Sequence, residues 1–172
     1  MKALKICPVI LAISAAFGIV GCSSPPFHFT DPSKYDRFTL CDSYSRFLRE
    51  KLSISDAGSE DPIGTGEDRT VGWSTTCLGR HTRGKLIGML QVHNPRTDDA
   101  VEIPSDYQPL TGFEGKARMG SPLQYRTEIH VQDGTWSAEM SFVKESPEQE
   151  LLGHDQQEVA KFLIQVAHDL QH

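Results

Sequence analysis

The stretch from Leu123 to Phe142 limits the fold more tightly than any other. Leu123, Tyr125, Thr127, Ile129 and Val131 alternate with Gln124, Arg126, Glu128, His130 and Gln132. Asp133-Gly134 interrupts the pattern, and Trp136, Ala138, Met140 and Phe142 then resume it, with Ser137, Glu139 and Ser141 on the opposite side. A period of two belongs to a strand, and Asp-Gly supplies the positive φ that a tight hairpin turn demands. Two strands that are apolar on one side only predict an antiparallel hairpin with one face on a core and the other in water.

Helical spacing flanks this hairpin. Cys41, Tyr44, Phe47, Leu48 and Leu52 form a stripe that predicts a helix over Leu40–Leu52, with Thr39 and Asp42 at capping-box spacing. Near the C-terminus, Val159, Phe162, Leu163, Val166 and Leu170 fall on one helical face. Ser146-Pro147-Glu148-Gln149 reads as a separate short helix start that Gly153 ends. Between the helices, Val71, Trp73, Thr75 and Cys77 alternate as a strand, and Lys85–His93 reads as a second. Glu102 and Ile103 suggest a short third, after the turn residues Pro95–Asp99. Residues 56–69, rich in glycine and acid, read as a loop. The expected fold is therefore α+β: a mostly antiparallel sheet with an N-terminal and a C-terminal helix packed on one face.

Upstream, Lys2 and Lys5 precede an apolar run from Ile6 to Val20, about the length of a secretory h-region and short of the ~20 residues that a membrane-crossing helix needs. The run ends in Ile19-Val20-Gly21-Cys22, which resembles the bacterial lipobox. That resemblance implies that Cys22 is lipidated and becomes the first residue after cleavage, the acyl chains then anchoring the protein to the membrane on its extracytoplasmic face. The expected organisation is a lipoprotein signal peptide over 1–21, a lipidated N-terminus and tether over 22–35, and a single extracytoplasmic domain over 36–172. The tether expectation rests on Ser23-Ser24-Pro25-Pro26 and Pro32, residues that keep a segment extended. Ser23 lacks the aspartate that resembles an inner-membrane retention signal, and the choice of membrane stays open.

Charge narrows the partners. The whole chain carries a formal charge of −6, and loss of Lys2 and Lys5 with the signal segment makes the remainder two charges more negative. An acidic domain without a basic stripe argues against nucleic acid and against tight docking on anionic head groups. Cys7 leaves with the signal segment, so Cys41 and Cys77 form an even pair in an oxidising compartment, which predicts a disulfide. There is no C-x-x-C and no finger-like histidine spacing, so a redox or metal role for the pair has no support.

Further along, FTLCDSYSRFL resembles the start of the actinobacterial lipoproteins grouped as domain of unknown function 3558, in which a Cys-Asp step opens a helix. A second cysteine near a strand tryptophan, here Trp73 to Cys77, fits the same pattern. The resemblance covers residues 35–172 and implies fold and location but no chemistry. Two features depart from it: Leu40 stands where the family has proline, and no cysteine follows Cys77.

Candidates for chemistry are sparse. His168 and His172 have the i, i+4 spacing of metal ligands, but Asp169 stands where a zinc-protease helix has glutamate. Gly120-Ser121-Pro122 is no nucleophile elbow, since proline removes the amide an oxyanion hole would use. Glu60, Asp61, Glu67 and Asp68 match no calcium-loop spacing, and the glycines of Gly64–Thr70 lack the G-K-[ST] step of a phosphate loop. Trp73, Tyr125, Trp136 and Phe142 read as core, with a ligand cavity as the alternative. No catalytic, cofactor or metal set emerges. The leading expectation is a non-enzymatic, membrane-anchored binding or scaffold domain whose partner is an envelope protein or a small ligand. The alternatives are a carrier of a small apolar ligand, marked by a cavity between sheet and helices, and an envelope hydrolase whose site is assembled in space, with His81 or His130 as the strand-held histidine.

Overall fold

The computed structural model describes residues 36–62, 71, 74–94, 103–145 and 151–171. Cys22 and the rest of the proposed signal and tether, Trp73, Glu67, Asp68, Glu102, the Ser146–Gln149 start and His172 lie outside these residues. Among the described residues no helix is long and apolar enough to cross a membrane.

Helix α1 spans Arg37–Glu50 and begins earlier than the spacing of Thr39 and Asp42 predicts. Asp36 is the N-cap: its Oδ1 accepts from the Phe38 amide at 2.8 Å, satisfying one of the donors that a helix start leaves unpaired. The predicted stripe is correct, with Cys41, Tyr44, Phe47 and Leu48 all buried. Helix α2 spans Gly153–Asp169, so Gly153 opens the last helix and does not end a separate turn. Its N-cap Leu152 offers no side-chain oxygen, and Asp155 in the first turn complements the dipole instead. Burial of Val159, Phe162, Leu163 and Val166 anchors it, as expected for a helix held by packing more than by local signals.

Among the described residues, seven strands form one sheet: β1 (Ala57–Glu60), β2 (Ser74–His81), β3 (Leu86–His93), β4 (Gln108–Pro109), β5 (Ala117–Leu123), β6 (Arg126–Asp133) and β7 (Trp136–Val143). Their spatial order is β1-β2-β3-β7-β6-β5-β4, with every described pairing antiparallel. The chain thus builds one meander outward-in, crosses to the far edge, and builds a second meander that closes on the first at β3 and β7. Three strand expectations change. Ala57–Glu60, read as loop, is an edge strand held by backbone pairing to β2 and by Arg49, whose Nη1 donates to Ala57 O at 2.8 Å. The strand expected near Ile103 falls instead at Gln108–Pro109. Leu123 and Tyr125 do not continue β6, because a turn at Gln124-Tyr125 separates β5 from β6 and leaves Tyr125 52% exposed.

Cross-strand register defines the two faces. Cys77, Leu90, Met140, Ile129 and Met119 form one row across five strands on the helix side. α1 covers β1 and β2, α2 covers β6 and β7, and the helices meet where Phe47 stacks on Phe162 with ring centroids 4.3 Å apart. Such a stacked pair adds about 0.5–1.5 kcal/mol beyond area burial. The Cys41–Cys77 disulfide ties α1 to β2 across a Cα separation of 5.3 Å. At the opposite end the hairpin turns at Gly134-Thr135, one residue later than Asp133-Gly134, because Asp133 stays in β6 opposite Trp136. Gly134 takes φ +58°, and Gln171 Nε2 donates to Asp133 O at 2.5 Å, seating the end of α2 on the hairpin.

Candidate functional site

Two places gather chemistry, one on each face of the sheet. The first is a cleft of about 300 Å³ between the sheet and the helices. Its lining comes from the residues just after α1, from Leu151 just before α2, and from the start of β3 with parts of β6 and β7. Ile87, Thr127 and Phe142 form its floor, and Leu52, Ile54 and Leu151 form its walls. The rim is charged. Lys85 Nζ lies 2.5 Å from Glu145 Oε1, and His81 Nδ1 lies 2.8 Å from Asp56 Oδ1. Both carboxyls are held below the usual carboxylate range, chiefly by hydrogen bonds to His81 for Asp56 and to Lys85 for Glu145. Hollows of about 380 and 460 Å³ also occur, at the β1–β2 edge and beside Lys116 and Arg118. Both are shallow and lined mostly by polar or charged side chains.

The second place is the sheet face that the alternation assigns to water. Glu128, His130, Ser137 and Ser141 are buried there, which corrects that expectation. Part of the reason is Tyr107, whose ring lies over β5 at Gly120; a Cβ on Gly120 would stand 2.3 Å from the ring. From that position Tyr107 Oη donates to Glu128 Oε2 at 2.5 Å, and the ring meets His130 edge-on at 5.7 Å between centroids. Burial first, then the hydrogen bond and charge of Glu128, push the Tyr107 phenol well above its ordinary value, so it stays a donor.

His130 Nε2 lies 2.8 Å from Oε2 of Glu139, its direct cross-strand partner. Arg126 reaches both acids, with Nε 2.6 Å from Glu128 Oε1 and a terminal nitrogen 3.5 Å from Glu139 Oε1. Burial alone would raise the Glu139 carboxyl, but the hydrogen bond and charge of His130 and the charge of Arg126 outweigh it and hold the carboxyl below the usual range. Donor atoms of Glu128, His130 and Glu139 all lie within 4.8 Å of one another.

The structure places the two histidines expected on strands at the end of β2, for His81, and in β6, for His130. They are not brought together: His81 is at the cleft rim, His130 in the polar cluster on the other face. Trp136 and Phe142 are core residues, and Phe142 also floors the cleft. His168 lies at the end of α2, with Nδ1 3.7 Å from Asp133 Oδ2. Sequence reasoning missed Arg126, Glu128 and Glu139 as a set. The signal is Glu-x-His on one strand with a glutamate across the predicted hairpin, which alternation alone assigns to a solvated face.

No protein-family model matches the chain, and neither curated proteins nor solved structures give a significant match.

Proposed function

We propose that this protein is a lipid-anchored extracytoplasmic domain that binds a small apolar ligand in the cleft between its sheet and helices. The observation that carries the reading is the cleft itself, about 300 Å³ with Ile87 and Phe142 in its floor and leucine and isoleucine walls. That is the small end of the roughly 300–1,000 Å³ typical of ligand sites, which are largely apolar with a few polar groups to orient the guest. Here the polar groups are at the rim, so the apolar part of a ligand enters first and its polar end stays near Lys85 and His81.

The anchor fits this role. The Cys22 lipobox holds the domain at the membrane, where apolar molecules partition, and the proline-bearing segment after it spaces the cleft from the surface. Replacing Cys22 with serine is expected to leave an uncleaved or mislocalised precursor, and a variant still processed and membrane-bound would disprove the anchor.

The ligand is tested by the native mass of the soluble domain from Ser24 onward, purified from its own cells. The expected result is an excess mass that disappears on denaturation and is absent from Ile87→Trp, whose larger ring fills the floor. A bare mass for the unmodified domain, with no uptake of a long-chain fatty acid or alcohol, would remove the carrier reading.

A further inference from the structure

We propose that Glu128, His130 and Glu139 form a binding site for one divalent transition-metal ion, with Tyr107 positioning Glu128 and the Arg126 guanidinium as the group that the ion displaces. The site lies on the sheet face away from the apolar cleft, so neither reading depends on the other.

The placement is that of a prebuilt set. Glu128 and His130 are two residues apart on β6 and share a face; Glu139 stands directly opposite His130 on β7. All three side chains are therefore carried by paired interior strands and not by loops. Their donor atoms lie within 4.8 Å of one another. A tetrahedral zinc with bonds of ~2.0–2.2 Å keeps its donors about 3.3–3.6 Å apart, so the set closes on an ion with small side-chain adjustments. One imidazole and two carboxylates suit a borderline metal such as zinc and leave a coordination position for water or substrate. Two carboxylates also balance a dication without any other charge.

The cluster is poorly closed by its own cation. Arg126 Nε is only 2.6 Å from Glu128 Oε1, yet it makes no directed hydrogen bond; the contact is coulombic and misaligned. His130 is 5% exposed and points into the cluster through Nε2, the nitrogen that would bind the ion. Buried polar groups that serve only structure are normally satisfied, and Arg126 Nε is not, so the guanidinium closes the cluster poorly. A metal ion asks for donor atoms at a distance and does not need an N–H aligned to an oxygen. The displaced guanidinium has somewhere to go, because the Arg126 side chain is already 32% exposed. Tyr107 then holds Glu128 from behind, the second layer of hydrogen bonding that orients metal-bound carboxylates.

The test uses the full-length protein in detergent, stripped with EDTA and titrated with zinc chloride by calorimetry. About one zinc per chain is expected to bind, with His130→Gln and Glu128→Gln each weakening it at least tenfold. Arg126→Gln, which removes the competing cation at a partly exposed position, is expected to tighten binding threefold or more. Circular dichroism melts establish that each variant is folded, and Arg126→Gln keeps the test informative if His130→Gln is not. Absence of zinc binding, binding indifferent to Glu128→Gln, or weaker binding by folded Arg126→Gln each overturns the proposal.

Discussion

Tyr107 donates to Glu128 across 2.5 Å from a ring that rests on Gly120, so a residue of the long β3–β4 connection controls an acid in the middle of β6. Hydrogen bonds to charged acceptors contribute about 1.5–3 kcal/mol, and forcing a methyl group into a filled contact costs about 1–3 kcal/mol. Tyr107→Phe and Gly120→Ala are therefore each expected to lower unfolding stability by about 1–3 kcal/mol. Their effects should be clearly non-additive in a double-mutant cycle by urea denaturation, because both act on one contact. Strictly additive losses would show that the ring and the hydroxyl act independently.

Tyr44 presents the opposite case. Its ring, carried by α1, is fully buried against β2 near Gly79, and its hydroxyl has no hydrogen-bond partner. Burial pushes the phenol well above its ordinary value, since ionising it there would strand a charge. Removing a buried, unsatisfied hydroxyl recovers its desolvation penalty, so Tyr44→Phe is expected to stabilise the domain by about 1 kcal/mol. A loss of more than about 1 kcal/mol in the same denaturation experiment would mean that the hydroxyl is in fact bonded.

The Cys41–Cys77 bridge closes a separation of 36 residues between α1 and β2. Loops of this size gain roughly 3–4 kcal/mol from restricting the unfolded chain. The double substitution to alanine should lower the thermal midpoint substantially while leaving the attachment proposed through Cys22 unchanged. Loss of attachment without loss of stability would reverse the roles assigned to these cysteines and Cys22.

Acid sensitivity follows from carboxyls whose values are lowered in the fold. Asp56, Glu145 and Glu158 are held down chiefly by hydrogen bonds to His81, Lys85 and Lys161, and Glu139 is lowered despite the opposing effect of burial. For each, the unfolded chain binds a proton at a higher pH than the folded chain does, so unfolding takes up protons in that window. Their stabilisation is complete above the ordinary carboxylate range of about 4 and is lost as pH falls through the lowered values. Thermal midpoints should hold between about pH 7 and pH 5 and then fall below about pH 4. A midpoint that rises on acidification would contradict the sign.

Much of the architecture is legible locally. The stripe through Cys41, Tyr44 and Leu48, the alternation from Thr127 to Phe142 and the glycine of the tight turn, Gly134, each specify an element from neighbouring residues alone. Hydrophobic periodicity reports which side of an element avoids water, and it does so without knowledge of the partner. The exported compartment proposed from Cys22 made the Cys41–Cys77 pairing readable as well, because an even pair in an oxidising setting has one pairing available.

Only the tertiary structure decided what periodicity leaves silent. Alternation marks Glu128, His130 and Glu139 as facing away from the core, but not that Tyr107 reaches over Gly120 to that side. The edge strand Ala57–Glu60 has no apolar pattern to announce it, being held by backbone bonds to a strand formed later in the chain. The cleft over Ile87 and Phe142 belongs to no single element, since its lining comes from the segments after α1 and before α2 and from several strands. Each of these depends on contacts between residues far apart in sequence, and local pattern carries no information about which distant segment arrives.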